Sequence, residues 1–104
     1  GKDHPQTGIT LTNLGNAWGD LGDYEKQKDL LTRALKIFEN HYGKDHPAIG
    51  DLLVILGDAC GKLGDYEKQK DLLTRALEIN EKHYGIDHPQ TGFILHLLGK
   101  TWES

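Results

Sequence analysis

The sequence predicts an all-α fold: an α-α superhelix of two and a half helical hairpins, five helices in all. Three observations carry that prediction. The stretch LGDYEKQKDLLTRAL, from Leu21 to Leu35, returns letter for letter from Leu63 to Leu77. Residues 1–42 match residues 43–84 at 30 of 42 positions, and a third copy opens at Gly85 with GIDHPQTG. Apolar residues recur at helical spacing, and no stretch alternates with the period of two that a strand needs. Neither helix of such a unit can hide its apolar face alone. Stacking like hairpins buries it in a continuous core, and identical interfaces demand identical residues.

Five helices are expected, roughly over 4–20, 24–42, 46–62, 66–84 and 88–103. In the first, Leu11, Leu14, Trp18 and Leu21 form one stripe at spacings of 3, 4 and 3. The letters DHP open the first, third and fifth. Pro5, Pro47 and Pro89 suit the first turn, where a missing N–H costs nothing, and the preceding Asp is expected to cap or favour the positive helix end. Gly22 and Gly64 suit a left-handed C-terminal cap. The second helix begins at GDY, with Asp23 and Asp65 as N-caps. Its apolar stripe is Tyr24, Leu31, Ala34, Leu35, Phe38 and Tyr42, and Asp29 and Arg33 are placed to pair on its outer face. Gly43 and Gly85 end the second and fourth helices. The chain thus reads as one domain over 1–104, with repeats at 1–42 and 43–84 and a half repeat at 85–104.

Composition excludes several functions. Twelve basic against sixteen acidic residues give a formal charge of −4, with no basic tract, so neither nucleic acid nor an anionic membrane is the expected partner. The run LLVIL, Leu52 to Leu56, is far too short to span a bilayer. The chain opens inside a repeat with no signal peptide, as a piece of a longer protein would. Cys60 is the only cysteine, which rules out an internal disulfide and fits a reducing, cytoplasmic compartment. It reads as a small buried hydrophobe. His4, His46 and His88 recur once per hairpin, as do His41 and His83, so their copies lie about 10 Å apart and are not expected to converge on a metal. No nucleophile triad, phosphate loop or carboxylate pair stands out, so neither an enzyme nor a cofactor is expected.

The residues resemble the tetratricopeptide repeat family. That family's pattern of Leu, Leu-Gly, large aromatic, Gly-x-Tyr, small residue, apolar residue and Ala is met in repeat 1 by Leu11, Leu14-Gly15, Trp18, Gly22-Asp23-Tyr24, Gln27, Leu31 and Ala34. In repeat 2 it is met by Leu53, Leu56-Gly57, Cys60, Gly64-Asp65-Tyr66, Gln69, Leu73 and Ala76, and in the half repeat by Leu95, Leu98-Gly99 and Trp102. The 42-residue period is similar to the long repeats of kinesin light chains and nephrocystin-type proteins. Two departures matter. Gln27 and Gln69 stand where the family usually has Ala, so a large amide must push the paired helices apart or reach an edge. Cys60 stands where the other copies have Trp, so neighbours such as Ile55 must fill in or a void remains.

The resemblance implies a binding module that takes a protein or peptide, as an extended segment or a partner helix, in a concave groove lined by the first helix of each repeat. The repeats differ at twelve positions, none inside the fifteen-residue stretch and nine in the DHP helix and its first turn. By family analogy the groove residues are Ile9, Thr12, Asn13, Asn16 and Asp20, then Asp51, Val54, Ile55, Asp58 and Lys62, then Phe93, His96, Leu97 and Lys100. Asn13 and Asn16 are the foremost, because an amide can bond both N–H and C=O of a peptide. A clamp for chaperone C-termini is not implied: at its positions the chain has Thr12, Asn16, Ile55, Phe93 and Leu97, and only Asn16 matches. The alternative is a self-associating scaffold, or a repeat-fold fragment or design without a ligand of its own. The apolar stripe of the last helix, with Leu95, Leu98 and Trp102, points to a homo-oligomer built through it.

Overall fold

The computed structural model describes residues 4–103, with side chains through residue 100. It contains α1 (Pro5–Asp20), α2 (Tyr24–Tyr42), α3 (Pro47–Lys62), α4 (Tyr66–Tyr84) and α5 (Pro89–Glu103), and no strand among the described residues. The expected ends hold to within one residue. The one-residue differences fall where a proline opens the helix, and the cap explains them.

That cap is histidine, which corrects the expectation of aspartate. Nδ1 of His4, His46 and His88 accepts the backbone N–H of Gln6, Ala48 and Gln90, each at 3.1 Å. With proline at the first helical position, histidine is the capping residue by register, and the aspartate falls one place outside. Asp45 instead pairs with Lys82 Nζ at 3.3 Å; Asp3 lies outside the described residues. Only a neutral imidazole, with its proton on Nε2, can accept at Nδ1. At α2 and α4 the aspartates do cap: Asp23 and Asp65 accept from the N–H of Lys26 and Lys68 at 3.2 Å. α1 ends in a Schellman turn. The N–H of Gly22 bonds Gly19 O and that of Asp23 bonds Trp18 O, both at 2.9 Å, around Gly22 at φ +87°.

The hairpins are antiparallel, because the start of α1 meets the end of α2 (Gly8 with Phe38) and its end meets the start (Gly19 with Gln27). The two helices close on glycine. A Cβ built at Gly15 would lie 3.3 Å from Leu31, and one at Gly57 would lie 3.5 Å from Leu73. Gln27 and Gln69 do not push the helices apart. Their amides lie on the bare backbone of Gly19 and Gly61, where a Cβ would stand 2.5 Å away.

The core runs between hairpins. Leu31, Ala34 and Phe38 of α2 meet Ile49, Leu52, Leu53, Leu56 and Cys60 of α3, which also carries Leu73, Ala76 and Ile79 of α4, and Ile94 and Leu98 of α5 join them. Position in the stack decides burial. Leu14, Leu56 and Leu98 occupy equivalent places and are 47%, 1% and 7% exposed, because α3 and α5 each pack on the preceding hairpin described here. Cys60 is sealed by α2 in the same way, with Ile55 half-buried against the core, whereas its counterpart Trp18 lies half-exposed under Lys26 Nζ at 3.9 Å.

Polar contacts tie one hairpin to the next. Arg75 Nη2 meets Glu39 Oε2 at 2.6 Å, and His83 Nε2 lies 2.6 Å from Asp45 O. Among the described residues Asp29 and Arg33 form no ion pair, contrary to the four-apart expectation. At the equivalent place in the second hairpin, Arg75 pairs instead with Glu39 of the hairpin before it.

Among the described residues one buried side chain is orphaned. Asn80 is fully buried, and neither its Nδ2 nor its Oδ1 has a hydrogen-bond partner. Its counterpart in the first hairpin is Phe38. Asn80→Leu, close in volume and apolar, should therefore stabilise the protein by about 1–3 kcal/mol. Cys60→Ser should cost about 1–3 kcal/mol by burying a hydroxyl. Thermal and urea melts followed by circular dichroism check both; a loss of stability in Asn80→Leu would show that the amide is satisfied.

Candidate functional site

α1, α3 and α5 are the first helices of successive hairpins, and α2 and α4 carry most of the contact between hairpins. Hollows therefore remain between neighbouring first helices. One of about 190 Å³ separates α1 from α3. Ile9, Thr12 and Asn13 form its α1 wall, and Ala48, Asp51, Leu52 and Ile55 its α3 wall, with Phe38 of α2 beneath. The buried Phe38 and Leu52 give an apolar floor; Asn13 and Asp51 are exposed at the rim. The Thr12 hydroxyl donates to Gly8 O at 2.8 Å and is thereby engaged within α1.

A second hollow, of about 270 Å³, lies between α3 and α5. Asp58, Gly61 and Lys62 line it from α3, Tyr66 and Gln69 from the start of α4, and Leu97 and Lys100 from α5. It is the more polar of the two. Lys62 Nζ also reaches to 6.0 Å from the Tyr24 ring of the preceding hairpin.

These hollows sort the residues expected to line a groove. Ile9, Thr12, Asn13, Asp51 and Ile55 meet in the first, and Asp58, Lys62, Leu97 and Lys100 in the second. Asn16 is half-buried, and its Oδ1 accepts from Gln27 Nε2 at 3.5 Å, so part of its amide is already engaged. Val54 is half-buried against the core, Phe93 is 51% exposed, and Asp20 and His96 are exposed outside both hollows. Of the residues expected to drive self-association, Leu95 is exposed, Leu98 is buried within the chain, and the side chain of Trp102 lies outside the described residues.

Sequence reasoning missed Phe38, Ala48 and Leu52 in the first hollow and Gly61, Tyr66 and Gln69 in the second. A signal for three of them was present. Every one of the eight residues lining the first hollow, Phe38, Ala48 and Leu52 included, stands at a position where repeats 1 and 2 differ. Tyr66 and Gln69 repeat unchanged and carry no such mark.

A family model described as Tetratricopeptide repeat matches residues 19–82. No curated protein matches the chain. No helix among the described residues is long and apolar enough to cross a membrane.

Cys60 offers no nucleophile. It is fully buried, and burial pushes its thiol above the ordinary value, against the weaker opposing pull of Lys28 and Lys68. A folded-state value above the unfolded one means that this thiol's contribution to stability is complete below the ordinary thiol range and is lost as pH rises through the folded value. Alkylation of Cys60 by iodoacetamide near pH 8 should therefore be far slower in the folded chain than in urea, and its rate should follow opening of the fold. Equal rates in the two states would show that the thiol is accessible.

Proposed function

We propose that this chain, which belongs to the tetratricopeptide repeat family, uses the face between α1, α3 and α5 to hold an extended peptide or a partner helix. The family is in general a protein–protein interaction module. The observation that carries the finer reading is the coincidence noted above: all eight residues around the first hollow stand at varied positions, although only twelve of the 42 repeat positions vary. Free drift of exposed residues does not account for this, because Phe38 and Leu52 are buried and vary too. Gly8, Gly15 and Leu31, which close the hairpin, recur unchanged as Gly50, Gly57 and Leu73 while this hollow's lining changes, which is what a surface with a chosen partner requires.

The hollow's chemistry describes the partner. An apolar side chain fits over Phe38, Leu52 and Ile55, and the exposed Asn13 amide can bond both N–H and C=O of the backbone that carries it. Self-association through α5 is the weaker reading, since Leu98 is spent inside the chain.

Peptides selected from a displayed library against the chain provide the test. Ile9→Ala with Asn13→Ala, one turn apart and both exposed, should weaken a selected peptide by about tenfold or more, or about 1.4 kcal/mol. The melting temperature should barely move. Asp29→Ala with Arg33→Ala, exposed on α2, should leave affinity unchanged. Equal losses from both pairs would remove the groove from consideration.

A further inference from the structure

The hollow between α1 and α3 is too small for a whole small molecule. Its volume is about 190 Å³, and sites for drug-sized ligands begin at about 300 Å³. It has room for a single side chain. Phe38, Leu52 and Ile55 offer that side chain an apolar surface. Among the described residues lining the hollow, Asp51 alone is charged.

Asp51 departs from its row. Ile9 and Phe93 hold the equivalent places in α1 and α5, so a carboxylate stands at the rim where the other copies carry an apolar residue. Gln90 Nε2 of α5 donates to its Oδ1 at 3.4 Å. Among the described residues Asp51 forms no ion pair, whereas Glu39 is paired with Arg75 and Asp45 with Lys82. The charge around the hollow has the same sign. α1 carries Asp20 and neither Lys nor Arg, and α3 carries Asp51 and Asp58 against Lys62 alone. The whole chain stands at −4. A negative rim above an apolar floor raises the local concentration of cations.

A side chain with an apolar stem and a cationic head meets both demands at once. We infer that this hollow is the seat of an arginine of the bound peptide, with its methylene stem over Phe38, Leu52 and Ile55 and its guanidinium at Asp51. Arginine suits the place better than lysine. Its planar fork carries five donors, enough to hold the Asp51 carboxylate and also serve the side-chain carbonyl of Asn13 on the opposite wall. This seat presupposes the groove proposed above and narrows its partner to a basic peptide.

Three displayed heptapeptide libraries provide the probes, alike except that the central residue is fixed as arginine, leucine or glutamate. Selection against the full chain is expected to enrich the arginine library. Peptides recovered from it are labelled with fluorescein and titrated by fluorescence anisotropy. Asp51→Asn keeps an acceptor for Gln90 and removes only the charge. It should weaken these peptides by about tenfold or more, with the melting temperature unchanged. Arginine→leucine in the peptide should cost about as much, and the two losses should not add, since each removes the same pairing. Asp51→Arg should turn the preference to the glutamate library. If the leucine library supplies the binders and Ile9→Ala with Asn13→Ala weakens them, the groove stands and the arginine seat is overturned. Arginine peptides that bind Asp51→Asn undiminished overturn it as well, because their cation is then held elsewhere on an acidic chain. A chain that draws no peptide from any of the libraries loses the groove and the seat together.

Discussion

The close approach of paired helices at glycine governs this molecule. Leu31 and Leu73 sit so near Gly15 and Gly57 that any side chain there would be in contact or in collision. Burying such a leucine is worth about 1.5–3 kcal/mol, but only while the backbones stay this close. A methyl group at Gly57 would just touch Leu73, one at Gly15 would ask Leu31 to give way slightly, and any larger side chain at either place would part the helices. The fifteen-residue stretch that supplies the covering leucine, the Schellman glycine and the capping aspartate accordingly appears twice without a change. Glutamine belongs to the same constraint. Its amide is large for a helix contact and is accommodated because Gly19 and Gly61 present bare backbone beneath it.

Fixing that contact frees the other face. Residues of α1 and α3 that turn away from the covering helices take no part in closing the hairpin, and they are the ones that change between repeats. The two faces are nonetheless linked. Gln27, constant in both repeats, lies on Gly19 and donates to Asn16 of the varied face. The second hollow likewise takes Tyr66 and Gln69 from the constant stretch. One wall of that site is thus made of residues that also hold the hairpin together, and a change there would disturb both.

The helices were legible because caps and apolar spacing are local signals: Pro5, Asp23, Gly22 and their copies each mark an end within a few residues. What eluded sequence reading was set by distant partners or by register. His46 displaced Asp45 as the cap through a shift of one place, and both residue types lie beside the proline. Arg75 reaches Glu39, 36 residues earlier in the chain, so the local candidate at four apart was misleading. Phe38 read as an ordinary stripe residue of α2, yet it floors the first hollow; its exchange for Asn80 in the next repeat was the visible sign. The seat for Gln27 left no such sign, because glycine and glutamine recur together in both full repeats.

The two junctions between hairpins are unequal in strength. At the first, Phe38 and Ile49 are buried hydrophobes. At the equivalent places of the second stand Asn80 and Thr91, both fully buried. Thr91 donates its hydroxyl to Gly85 O at 2.9 Å and is satisfied, whereas Asn80 is not. Exchanging an aromatic ring for an unpaired amide removes apolar burial and adds a desolvation cost at one stroke. α5 also lies against the stack on one face only, with α4 its sole extensive neighbour among the described helices. Both facts make α5 the helix whose local opening costs least.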